Sequence, residues 1–160
     1  TAEGERVRRE VGAAIRAATR SDWESFGLQL GYRYEGSPVC VPDGTPPTPD
    51  DYAKYVPSAR PGSRAPHAWL ADGRSTLDLF GHGFTLLCFD GAPRAGIAAL
   101  TTAAKEYGVP LSVVEMPDAQ AAALYQQPMV LVRPDGHVAW RGATVADAGR
   151  IVDTVRGASI

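Results

Sequence analysis

At 160 residues, with 44% hydrophobic and 21% charged side chains, the chain has room for one domain with a core, or one domain plus an appendage. Its net charge of −2 gives no electrostatic basis for binding nucleic acid or an anionic membrane. No apolar run approaches the roughly 18 residues of a membrane span, and the first residues lack the plan of a signal peptide.

Residues 3–20 are expected to be helical. Val7, Val11, Ala14, Ile15 and Ala18 fall on one stripe, with Arg6, Arg8, Arg9, Arg16 and Arg20 on the other faces. Such a helix must dock on something, and the remainder of this chain or a partner would serve equally well. Ser21 or Asp22, with Glu24 behind, reads as a helix cap. Leu28, Leu30 and Tyr32 alternate with small or polar residues, which predicts a strand over 28–34.

"SPVCVPDGTPPTPDD" (37–51) carries five prolines. Proline lacks the amide donor and fixes its own backbone angle, so this stretch is a loop or linker. It divides the chain into an N-terminal helix, strand and Pro-rich linker (1–50) and a domain (51–160). Residues 55–81 read as extended and turn-rich, with two short strands around Asp72-Gly73.

From Phe84 the pattern becomes regular. It predicts a buried strand at 84–90, a helix at 93–107 opened by Pro93, a strand at 111–115 and a helix at 118–125. A hairpin of 128–133 and 137–141 about Pro134-Asp135-Gly136 follows, and then a helix at 144–156 capped by Thr144. The β-α-β-α-β-β-α order is that of a thioredoxin-like α/β fold, a mixed central sheet with helices on both faces. Pro128 opens the third strand, where this fold normally places a cis-proline, and a cis bond is expected there.

The fold suggests thiol chemistry, but the residues argue against it. A redox thiol belongs at a helix N-terminus, where partial positive charge lowers its pKa. Gly91, Ala92, Pro93 and Arg94 occupy that junction, and Cys88 precedes it inside the strand. Cys88 therefore reads as core packing. Cys40 and Cys88 are expected to be reduced thiols of a cytoplasmic protein, although the sequence alone leaves a disulfide between them open. His67, His82 and His137 have no metal-ligand spacing, and no nucleophile elbow, dinucleotide fingerprint or P-loop occurs. No catalytic, cofactor-binding or metal-ligating residue is therefore assigned. The least generic stretch is "SARPGSRAPHAWL". Arg60, Arg64 and His67 cluster on a backbone stiffened by Pro61, Gly62 and Pro66. It reads either as a rigid loop whose guanidinium groups hold carboxylates or carbonyls across an interface, or as a surface connection with solvated arginines.

Four blocks in series, "LGYRYEGSPV" (30–39), "ARPGSRAPHAWL" (59–70), "STLDLFGHGFTLL" (75–87) and "RPDGHVAWRG" (133–142), resemble the C-terminal region of FAD-dependent aromatic hydroxylases. These are flavin monooxygenases of the phenol hydroxylase and aromatic-polyketide hydroxylase type. The resemblance implies a thioredoxin-like domain without redox cysteines, attached behind a portion that binds FAD and substrate and uses NAD(P)H. It implies no cofactor in this chain itself, a chain that is a fragment of that longer protein, and a structural role: stabilising or shielding the parent, or mediating homo-oligomer contacts. Arg60, Arg64 and His67 would then lie at the contact between domains. Two rival readings are a free-standing binding or assembly protein that kept the fold, and a thiol oxidoreductase using Cys88 alone.

Overall fold

The computed structural model describes residues 1–158, apart from the side chain of Ser21. The final two positions of the expected 51–160 domain lie outside the described residues, as does the capping role considered for the Ser21 side chain. The chain divides into two compact units, Thr1–Gly31 with Pro49–Val56, and Tyr32–Thr48 with Pro57 onward.

The first unit is built on α1 (Ala2–Trp23), whose N-cap Thr1 accepts a hydrogen bond from the Gly4 amide at 3.1 Å. The helix runs through Asp22, so no new helix starts there. The strand expected over 28–34 is instead the short helix α2 (Phe26–Leu30), followed by a single bridging residue, Arg33. Alternation of Leu28 and Leu30 is overridden by local bonding. The Gln29 amide donates to Ser25 O, its side chain to Ser25 Oγ, and the Gly31 amide to Gly27 O. The Leu28 amide donates to Tyr52 O, and Gly27 fits because a Cβ there would overlap the Asp51 carbonyl.

The second unit holds a four-stranded sheet in the order β2-β1-β3-β4. β1 (Phe84–Cys88) pairs in parallel with β2 (Leu111–Glu115) and antiparallel with β3 (Met129–Val132). β3 in turn pairs antiparallel with β4 (Val138–Gly142). This is the predicted thioredoxin-like arrangement. The parallel pair needs a crossover, and α3 (Arg94–Glu106) supplies it. α3 and α5 (Ala148–Val155) cover one face, burying Leu100, Ala104, Ile151 and Val152 against Leu86, Cys88, Met129 and Leu131. α4 (Ala119–Tyr125) covers the other, where Ala121 and Tyr125 meet Leu87, Phe89, Val130 and Val132. Because β1 and β3 are covered on both faces, β3 reads as an unbroken apolar run and β1 as one interrupted only by the buried Thr85. Each fully buried leucine here contributes about 1.5–3 kcal/mol.

A bulge shapes β4. Leu131 lies opposite Trp140 but Val132 lies opposite Val138, which leaves Ala139 as the extra residue. Ala139 and Trp140 therefore both join the α3–α5 side, and Val138 joins the α4 side.

Three local expectations are corrected. The region around Asp72-Gly73 has a turn and one bridge, Trp69 to Ser75, but neither of the two expected strands forms. Ser75 and Asp78 form a reciprocal capping box that winds Thr76–Leu79 into a 3-10 turn. The last helix is capped by Asp147, whose Oδ1 accepts the Arg150 amide at 2.9 Å, and not by Thr144. The Gln127–Pro128 bond is trans. Gln126 ends α4 in the left-handed region at φ 65°.

Candidate functional site

At the β1–α3 junction, Gly91 takes φ 84° and the Ala92 amide donates to Phe89 O at 3.0 Å. Pro93 caps α3 without a side-chain bond. A shallow cleft of about 200 Å³ opens beside it, rimmed by Asp90, Arg94 and Glu115. Cys88 lies below, 4% exposed. Burial, and after it the Glu115 charge, push its thiol up to about 11. At pH 7 that leaves about one thiolate in ten thousand, too little for a nucleophile. Cys40 is also free and buried, and burial raises its pKa too. Among the described residues no group of three or more His, Cys, Asp or Glu side chains is arranged to hold a metal ion.

The Arg60–His67 block is a structural seam. Its backbone runs along the outer side of β4: the Gly62 amide donates to Val138 O, the Val138 amide to Ser63 O, and the Ala65 amide to Gly136 O. On its other side the Tyr34 amide donates to Gly62 O at 2.9 Å. Gly62 is required twice over. Its φ is 91°, and a Cβ would stand 2.7 Å from Tyr34 O. Pro66 O accepts both Thr76 Oγ1 and the Tyr125 hydroxyl at 2.8 Å, tying the block to α4.

The three predicted contact residues fare differently. Arg60 binds a carboxylate and a carbonyl, as its chemistry suggested, but both belong to its own unit. Its two terminal nitrogens grip Glu35 at 2.7 Å each and Nε donates to Thr45 O at 2.8 Å. The Arg60 hydrogen bond holds the exposed Glu35 carboxyl below its usual range. Arg64 is half-buried, bridges His137 through the backbone, and has no ion-pair partner among the described residues. His67 is exposed, its Nδ1 2.8 Å from Ser75 Oγ and its ring edge-on to Trp69 at 4.9 Å. Trp69 is 66% exposed, so His67 and Trp69 form an aromatic pair on the surface.

Two clusters escaped sequence reasoning. Arg141 projects from β4 into the buried layer, where Nε donates to Asp43 Oδ2 at 2.6 Å and Nη1 to Gln126 Oε1 at 3.1 Å. Asp43 Oδ1 also accepts the Thr45 amide and hydroxyl. Burial alone would raise the Asp43 carboxyl, but hydrogen bonds from Thr45 and Arg141 outweigh it and hold the carboxyl below its usual range. The second is His137, 1% exposed, packed against Tyr32 and Tyr34 with ring centroids 5.2 and 4.6 Å away. Burial depresses its pKa against the opposing pull of Asp135. The only signal in the sequence is a charged or polar residue on an otherwise apolar strand or turn.

The thioredoxin-like topology without its thiols, joined to this seam, defines a class that comparison with known proteins identifies. A family model described as "Aromatic-ring hydroxylase, C-terminal" matches residues 58–158. The chain belongs to that family. It is 38% identical to an FAD-dependent monooxygenase, apdD, of Emericella nidulans, over 92% of this chain and 26% of the relative. It is 36% identical to aklavinone 12-hydroxylase RdmE of Streptomyces purpurascens, over 79% of this chain and 25% of the relative. Among solved structures, the substrate-free rebeccamycin biosynthetic enzyme RebC matches 99% of this chain and 29% of its own at TM-score 0.79 and 42% identity. The chain thus spans about a quarter of the length of the curated relatives it matches.

The cleft at the β1–α3 junction does not fit a flavin dinucleotide. The junction cleft is smaller than the roughly 300–1,000 Å³ of a typical ligand pocket, and Asp90 and Glu115 would repel a pyrophosphate.

Proposed function

We propose that this chain is the non-catalytic C-terminal domain of a cytoplasmic aromatic-ring monooxygenase that binds FAD, and NAD(P)H as reductant, in another part of its polypeptide. The observation that carries this reading is the family match over 58–158 on a junction whose single cysteine is buried in the core. The domain's role is structural, including stabilisation of the parent and contacts between subunits. Arg64 and His67, with Trp69 beside it, are the members of the Arg60–His67 block that face outward or lack an ion pair, and they serve as its contact with the catalytic portion. Two free buried thiols suit a reducing compartment. No helix among the described residues is long and apolar enough to cross a membrane.

The test is to express the complete reading frame containing this chain and, separately, the 160-residue chain. The longer protein should purify with a flavin absorbance band and oxidise NAD(P)H in the presence of a phenolic or polyketide substrate. The short chain should do neither. Stoichiometric flavin on the short chain, or insulin reduction lost on Cys88→Ser, would overturn the proposal.

A further inference from the structure

The first unit has no core of its own. No described residue of α1 is buried, and its stripe lies open, with Val7 44%, Val11 51% and Ile15 57% exposed. Trp23, Phe26 and Leu28 are more exposed still, and among the described residues of the unit only Ser25 is buried. Meanwhile the polar faces of α1 carry ion pairs: Arg6 pairs with Glu3 and Glu10, Arg8 with Glu5, and Arg20 with Glu24. In proteins most helical stability comes from packing one apolar face and not from propensity. A charged side laced with local ion pairs, beside an unburied apolar stripe, is half of an interface.

The position of this unit in the family says what the other half is. Its last segment ends at Val56, and the C-terminal family model begins at residue 58. Yet the likeness to whole flavoenzymes covers 92% and 99% of this chain, which takes in α1. Residues 1–57 are thus shared with the complete enzymes but precede the family model, and of these only 32–48 and Pro57 are compact with the sheet-bearing unit, whereas 1–31 and 49–56 are not. Self-association is poorly served by the stripe. Positions 7, 11, 14 and 18 have coiled-coil spacing, but they would present only two valines and two alanines at the seam. Small residues over a broad stripe suit close approach to a larger apolar surface, and a covalently joined surface is present at high effective concentration.

We infer that Thr1–Gly31 and Pro49–Val56 belong structurally to the remaining portion of the parent polypeptide, and that the Val7, Val11 and Ile15 face of α1 docks on that portion in cis. This rests on the function proposed above and moves the domain boundary from the Pro-rich linker to about Tyr32, with 49–56 returning to the earlier unit.

Hydrogen exchange by mass spectrometry on the full-length parent and on the 160-residue chain tests it. The α1 amides should exchange at least about a hundredfold more slowly in the parent, and Val11→Asp with Ile15→Glu in the parent should abolish most of that difference. Equal protection in both proteins would overturn the inference. So would a 160-residue chain that is a dimer by light scattering and becomes monomeric with the same two substitutions, since the occupant would then be a second copy. The parent's flavin band is read in parallel. Flavin bound with α1 unprotected sinks only the docking, whereas α1 protected without flavin sinks only the assigned activity. A reading frame that encodes no longer protein sinks both.

Discussion

Replacing Asp43 by Asn keeps the size and the hydrogen-bonding shape of the side chain but removes its charge. The Arg141 guanidinium, with its side chain 3% exposed, would then be left among neutral acceptors. An exposed ion pair contributes about 0–1 kcal/mol, but breaking a buried one from one side costs about 3–5 kcal/mol because the other charge stays desolvated. The Asp43 side chain is 13% exposed, which puts the cost at the lower end, about 3 kcal/mol. In a chain of this size that is a fall in Tm of about 10 °C. Urea and thermal unfolding followed by circular dichroism would measure it. In a double-mutant cycle with Arg141→Met, the two changes should fall short of additivity by about 2 kcal/mol. The pH dependence has a definite sign. The folded carboxyl lies below its unfolded value, so its stabilisation is present above about pH 4 and lost as pH falls through the folded pKa. Asp43→Asn should flatten that acid limb. A variant within about 0.5 kcal/mol of the wild type, or strict additivity with Arg141→Met, would show that the pair does not anchor the Pro-rich loop.

Gly62→Ala should destabilise the chain by roughly 2–3 kcal/mol, since it adds left-handed strain to a contact with Tyr34 O, and an unchanged denaturation midpoint would refute this. His137 is held neutral by burial, so stability should decline as pH drops below about 6.5 toward its lowered folded pKa. His137→Phe should lose that dependence, and a wild-type imidazole titrating at or above its ordinary value by NMR would contradict the reasoning. Neither Cys40 nor Cys88 should react with a thiol reagent at pH 7.5 in the native chain, whereas both should react in guanidinium; rapid native modification of Cys88 would reopen the redox reading.

The β1–α3–β2 unit and the β3–β4 hairpin are legible in the sequence because local apolar runs, a turn residue and a loop length define them. The segment 28–34 was misread because its alternation of Leu28 and Leu30 is real, but the winding is set by Ser25, Gly27 and a carbonyl from Tyr52, 24 positions further on. The Arg141–Asp43 pair spans 98 positions, and nothing local to "VAWRG" says that its arginine turns inward. Arg60 holds a carboxylate and a carbonyl inside its own unit, which the sequence left open beside a solvated arginine, and its partner Glu35 lies 25 residues away. Chemistry travels with the residue type, whereas the identity of a distant partner is known only once the chain is folded.

The seam along β4 has a practical consequence for trimming this protein. Strand edges with free peptide groups are templates for other chains, and here Gly62, Ser63 and Ala65 occupy those groups. A truncation beginning at Pro66 would keep every strand of the sheet and still uncover this edge. Such a shortened version should assemble edge to edge into aggregates, while one beginning before Tyr32, which also keeps Val41 on Ala139 O and Asp43 on Arg141, should remain dispersed. For this molecule the smallest soluble piece is set by a stretch that contributes no regular strand at all.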